Sequence, residues 1–165
     1  MNRRVLSAAL HVPLPPEEAF RLFTARGERD WVPGWEPVFP VETGDDTAPG
    51  TVWLTSSPEG ETTWLVISRD FPRSVSYARI TPGVRAGTVT VALTETETET
   101  AETETAETET AETETATQTA TGSEVTVTYD MTPLTPAGAK ALDEFAADYP
   151  SFIRSWAELI TAHLA

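Results

Sequence analysis

The chain has 165 residues, with 26 acidic and 11 basic side chains, a formal net charge of -15, no cysteine, five Trp and 13 Pro. That length fits one domain with a real hydrophobic core. The absent cysteine excludes disulfides and thiolate chemistry, and no apolar run approaches the ~20 residues needed to span a bilayer. With a pI near 4.4, neither a nucleic-acid partner nor insertion into a membrane is expected.

In chain order, residues 3–12 read as a first strand that ends at Pro13. Arg3 and Arg4 before a short apolar stretch imitate a signal peptide, but His11, Pro13, Pro15 and Pro16 break the stretch and no small-residue cleavage site follows. A cytoplasmic protein is expected. Pro15-Pro16-Glu17-Glu18 forms a helix entry, with proline and acids where the first turn favours them. Ala19, Phe20, Leu22 and Phe23 give that short helix its apolar face. Gly27 interrupts it, and a second short helix through Glu28, Arg29 and Asp30 leads to Trp31. Strands are predicted at 38–42, 50–55, 62–69, 75–80 and 87–93, punctuated by turn residues such as Asp45-Asp46 and Pro82-Gly83.

Two segments alternate with a period of two. Val89, Val91 and Leu93 alternate with Thr88, Thr90 and Ala92, and Val125, Val127, Tyr129 and Met131 alternate with Thr126, Thr128 and Asp130. Each has one apolar and one polar face, as a sheet covered on one side requires. They are expected to pair as a hairpin, with Asp130 solvated on the outer face.

Between them lies a tract, 94–122, of almost pure Thr, Glu and Ala, including four consecutive ETETA units. It holds nine Glu and no cation; the other 136 residues carry 17 acidic and 11 basic groups, a net charge of -6. The acidity therefore belongs mainly to this insert. A five-residue unit alternates faces in a strand and drifts round the axis of a helix, so neither geometry yields a stripe to bury. A solvated, mobile projection from the hairpin tip is expected. The paired strands are expected to continue only some way outward from Leu93 and Glu124, because facing glutamates would repel.

The strongest helix signal is at the end of the chain. Thr135 is the expected N-cap and Pro136 the first helical residue. Leu142, Phe145, Tyr149, Phe152, Trp156 and Leu159 then recur at steps of three and four, with Ile153 and Ile160 widening the stripe, a face that must be buried. Pro150 cannot donate to the carbonyl of Ala146 and is expected to kink this helix.

Three segments carry a family resemblance: HVPLPPEEAFRLFT, ERDWVPGWEPVFP and VTVTYDMTPLTPAGAKALDEF. They resemble the opening strand and helix, the Trp-centred segment after the second helix, and the last strand with its long helix in the START-like, polyketide cyclase/dehydrase-like (SRPBCC) superfamily. The resemblance spans nearly all of the chain except the insert. It implies one domain over 1–165 with an α+β helix-grip fold, a curved antiparallel sheet wrapped around a long C-terminal helix, and two short helices after the first strand. It also implies an internal apolar cavity, because members bind lipids, hormones and secondary metabolites or cyclise polyketides.

The candidate lining residues follow from that expectation. Trp31 and Trp35, in W-V-P-G-W-E-P, either wedge the short helices against the sheet or form the mouth of the cavity. Trp53, Trp64, Tyr77 and Tyr129 lie on strands and serve equally as core or as cavity wall. Phe145, Tyr149, Phe152 and Trp156 read first as helix core and second as ligand contacts. His11, Tyr77 and Arg79 are the weak catalytic candidates, able to polarise a carbonyl if they point inward. Arg79 reads first as exposed, although it shares strand parity with Tyr77. No phosphate-cradling glycine loop, Ser-His-Asp order or metal-ligand cluster is present, so no metal and no cofactor are expected. A hydrophobic small molecule is the expected partner; no particular protein partner is indicated. The leading functional expectation is a non-catalytic carrier or sensor of a lipid or polyketide-like molecule. The alternatives are a cyclase or dehydratase and a co-chaperone-like interaction module without ligand. Inward polar groups around a closed cavity would favour the enzyme, a dry apolar cavity the carrier, and a filled core the interaction module.

Overall fold

The computed structural model describes residues 1–99 and 119–165. Strand β1, Arg4–Val12, stops where Pro13 ends the supply of backbone donors. Helix α1, Pro16–Leu22, has proline at its start and Glu17 and Glu18 in its first turn. It buries Ala19, Phe20 and Leu22. A single 3-10 turn, Gly27–Asp30, supplies the second short helix. Only glycine can open that turn, since a Cβ on Gly27 would lie 1.7 Å from the carbonyl oxygen of Arg21.

The remaining strands are β2, Val52–Ser57, β3, Gly60–Asp70, β4, Ser74–Thr81, β5, Arg85–Glu99, and β6, Thr119–Pro133. They form one curved six-stranded antiparallel sheet in the order β1-β6-β5-β4-β3-β2. The strand expected at 38–42 is not there: Val38 alone makes a bridge, to Leu54. Pro37 and Pro40 lack the amide donors that a longer ladder would need. The expected hairpin of β5 and β6 is present, and its register sets Val89 opposite Tyr129 and Val91 opposite Val127.

The ladder continues outward to Glu99 opposite Thr119, so the compositional edge of the Thr/Glu tract is not the edge of the sheet. The expected repulsion is avoided by register, with Glu95 facing Ser123 and Glu97 facing Thr121. The expectation of a mobile projection falls largely on 100–118, outside the described residues. Asp130 is not simply solvated: Arg3 holds it through two hydrogen bonds, the longer 2.6 Å, which keeps its carboxyl below the usual range.

The long helix α2, Pro136–Leu164, packs against β1, β5 and β6. It buries Leu142, Tyr149, Ile153, Trp156 and Ile160 along the predicted stripe. Its cap is the expected Thr135, which accepts from the amide of Gly138 at 3.0 Å and donates to the carbonyl of Gly83 at 2.7 Å. Pro150 sits on the exposed side of α2 and does not end it. The core lies between α2 and the concave face of the sheet, where Val66, Val75, Val91, Val125, Val127 and Met131 are wholly enclosed. Among the described residues, no helix is long and apolar enough to cross a membrane.

Candidate ligand cavity

The core does not fill the space inside the sheet. A largely enclosed cavity of about 190 Å³ remains between β2–β6, α2 and the segment that joins α1 to β2. Its aromatic wall follows from strand parity. Trp53 on β2 faces Trp64 on β3 in the register, and their rings lie nearly parallel with centroids 5.8 Å apart. Tyr77 on β4 meets Trp53 edge-on at 5.2 Å, and Trp35 meets Trp64 edge-on at 5.5 Å. Such edge-to-face pairs are the favoured arrangement for aromatic quadrupoles.

Of the residues expected at the site, Trp35, Trp53, Trp64, Tyr77, Arg79, Tyr129 and Phe152 all line the cavity. Trp31, Phe145, Tyr149 and His11 do not. Trp31 stands behind the wall, edge-on to Phe23 and Trp156, with its indole N–H donating to the carbonyl of Leu22 at 2.8 Å. This is the structural alternative for that tryptophan. Tyr149 donates to the carbonyl of Val127, and Phe145 packs between Tyr129 and Tyr149. His11 is exposed and covers Gly122, where a Cβ would come within 2.7 Å of its ring. It reaches nothing in the cavity and has no part in its chemistry.

Polar groups enter the cavity from three directions. Tyr77 donates its hydroxyl proton to the carbonyl of Phe23 at 2.9 Å, so that proton is not free to polarise a ligand. Burial and the nearby carboxyls of Glu28 and Asp46 push the phenol far up. Tyr129 enters from β6, and burial pushes its hydroxyl up to about 12, with Arg79 pulling the other way. Arg79 is turned inward rather than exposed, because residues at the parity of Val75 and Tyr77 face the concave side. Its guanidinium lies over the Trp64 ring, 4.7 Å from the centroid, and its Nε is buried without a hydrogen-bond partner. Burial lowers its pKa from the ordinary value. The indole N–H of Trp53 is likewise buried and unpaired, whereas those of Trp35 and Trp64 donate to the Ala25 carbonyl and the Thr55 hydroxyl.

Glu28 is the one charged lining residue that the sequence reading missed, beside the apolar Phe23, Ala25, Val32, Val89 and Val91. It sits in the 3-10 turn, and burial alone pushes its carboxyl up to about 8. The signal for it exists in the sequence: Ala25, Glu28, Val32 and Trp35 recur at steps of three, four and three, and all four line the cavity. Among the described residues, no group of His, Asp and Glu side chains is arranged to hold a metal ion.

Arg79, Trp35 and Trp64 also border a second, open cleft of about 570 Å³ on the outside, together with Thr55, Glu59 and Arg85. These three side chains therefore stand between the inner cavity and solvent.

Sequence comparison finds no family model and no curated protein that matches the chain. Solved structures do match in shape. Protein MLL2253 from Mesorhizobium loti aligns with a TM-score of 0.57 at 17% identity, covering 96% of this chain and 98% of its own. DynU16, from the dynemicin biosynthetic locus, aligns at 0.56 with 13% identity, covering 97% of this chain and 46% of its own. Ara h 8.0201 aligns at 0.54 with 12% identity, over 98% of this chain and 99% of its own. At these identities the likeness defines the fold: this is a helix-grip domain, of the class in which a sheet folds round a long helix.

Proposed function

We propose that the chain belongs to the START-like, polyketide cyclase/dehydrase-like superfamily and binds a small, mainly apolar molecule inside its fold, as a carrier or sensor. The supporting observation is the enclosed cavity of about 190 Å³, walled by aromatic rings from four strands, α2 and the segment before β2. A core whose only task were packing would close such a space, since interiors approach crystalline density and each void forfeits contacts. The volume suits a substituted single ring better than a long lipid, for a cavity of about 150 Å³ accommodates benzene. An interaction module without ligand would have no use for the void.

The test is native mass spectrometry of the protein purified from its source organism. A co-purifying small molecule is the expected result. Consistent recovery of the empty mass under gentle conditions, together with no response of tryptophan fluorescence to ring-sized compounds, would refute it.

A second reading, a cyclase or dehydratase, is the one that the inward polar groups favour: Glu28, an acid poised near neutrality, lines the same cavity as Arg79 and Tyr129, whereas the mainly aromatic and aliphatic wall favours a carrier. DynU16, a protein of the dynemicin biosynthetic locus, shares this fold. Recovery of the co-purified compound chemically unchanged after prolonged incubation counts against it.

A further inference from the structure

We propose that the cavity receives a small planar aromatic acid, with its ring among the tryptophans and its carboxylate on Arg79 at the neck between cavity and cleft. This rests on the reading of the cavity as a ligand site. The flat faces and edges of Phe23, Trp35, Trp53 and Trp64 suit a planar ring, and the volume admits one ring with its substituents.

Charge fixes the class of ligand. The ion pairs among the described residues engage Arg3, Arg4, Arg69, Arg73 and Arg85, and Arg79 is in none of them. Glu59, the carboxylate bordering the outer cleft beside it, is already held by Arg85 at 2.7 Å. The nearest polar partner of the Arg79 guanidinium among the described residues is the Thr81 hydroxyl, at a long 3.5 Å. A half-buried guanidinium with no carboxylate in ion-pair contact gains from an added anion, and its fork of N–H donors binds a planar carboxylate with two parallel hydrogen bonds. Arg79 lines both compartments, so a ligand can keep its ring inside and place its acid at the neck. Elsewhere on the cavity wall, Glu28 and Tyr129 offer a carboxyl and a phenol, which can exchange hydrogen bonds with a hydroxyl or carbonyl on the ring.

The test compares 4-hydroxybenzoate with its neutral amide, 4-hydroxybenzamide, and with p-cresol, followed by calorimetry and tryptophan fluorescence. The acid is expected to bind about tenfold or more tighter than the amide, as a charge-assisted hydrogen bond implies. Arg79→Gln is expected to erase that preference, bringing acid and amide to within about threefold of each other. Equal binding of acid and amide to the unaltered protein overturns the assignment of the ligand class while leaving the cavity a ligand site, and it does not depend on the variant folding. No binding of any of the three compounds overturns both.

Discussion

Glu28 ties the cavity to pH. In the unfolded chain its carboxyl titrates at the ordinary 4.5, and in the folded domain at about 8. Between these values the folded state keeps a proton that the unfolded chain releases, so stability falls as pH rises from 4.5 to 8 and is level above. Tyr77 and Arg79 on β4 and Tyr129 on β6 face the same space. None of the three changes charge in that window, because burial holds both phenols well above it and Arg79 stays cationic. Glu28→Gln should therefore match the parent near pH 4 and exceed it at pH 8–9 by about 2 kcal/mol, or about 5 °C in midpoint, allowing for water in the cavity. Thermal melts across pH check this; a difference independent of pH refutes it. Arg79 and Glu28 also show why single side chains were the least legible part of the sequence. Strand parity correctly aligned Arg79 with Tyr77, but the general preference of arginine for solvent pointed the other way. Glu28 looked like an ordinary acid in a short polar helix, and only its spacing with Ala25, Val32 and Trp35 betrays an inward face.

Elements were legible where a period was long and clean. The stripe on α2 and the alternation on β5 and β6 define their own buried faces, and the structure follows them. The segment at 38–42 has no such alternation between its prolines and collapses to one bridge. The start of α2 offers a sharp test of packing against propensity. Alanine normally exceeds glycine in a helix by about 1 kcal/mol. At Gly138, however, an added Cβ would lie 2.0 Å from the carbonyl oxygen of Val84, which is backbone and cannot simply swing away. Gly138→Ala should thus destabilise by about 1–3 kcal/mol, lowering the melting midpoint by several degrees. An unchanged or raised midpoint would show that the turn before β5 yields.

At the scale of the whole molecule, the order of strand, short helices, sheet and long helix carried the resemblance that implied the helix-grip fold, and the structure has it. The cavity was not legible in that way. A void depends on the volume left by many side chains together, and no local pattern encodes it. Burial on the hairpin ends near Leu93 and Ser123, and the ladder is already paired to Glu99 and Thr119. Replacing 100–118 by a short hairpin turn should leave the melting midpoint unchanged or raise it by a few degrees, since closing a shorter loop costs about 1 kcal/mol less entropy. A fall of several degrees would show that the tract packs on the domain.

The partition of Trp35, Trp64 and Arg79 bears on time rather than affinity. Whatever enters from the outer cleft must part an edge-on pair of indoles and pass a guanidinium resting on one of them. Entry and exit then share one barrier, so a modest equilibrium constant can coexist with a long residence. Trp35→Ala should speed association and dissociation of 4-hydroxybenzoate alike, by about tenfold each, with the ratio shifting much less. Stopped-flow fluorescence reads both rates; a change confined to dissociation would make Trp35 a contact and not a door. A ligand of the proposed class would then be held less by tight contact than by slow opening of the partition.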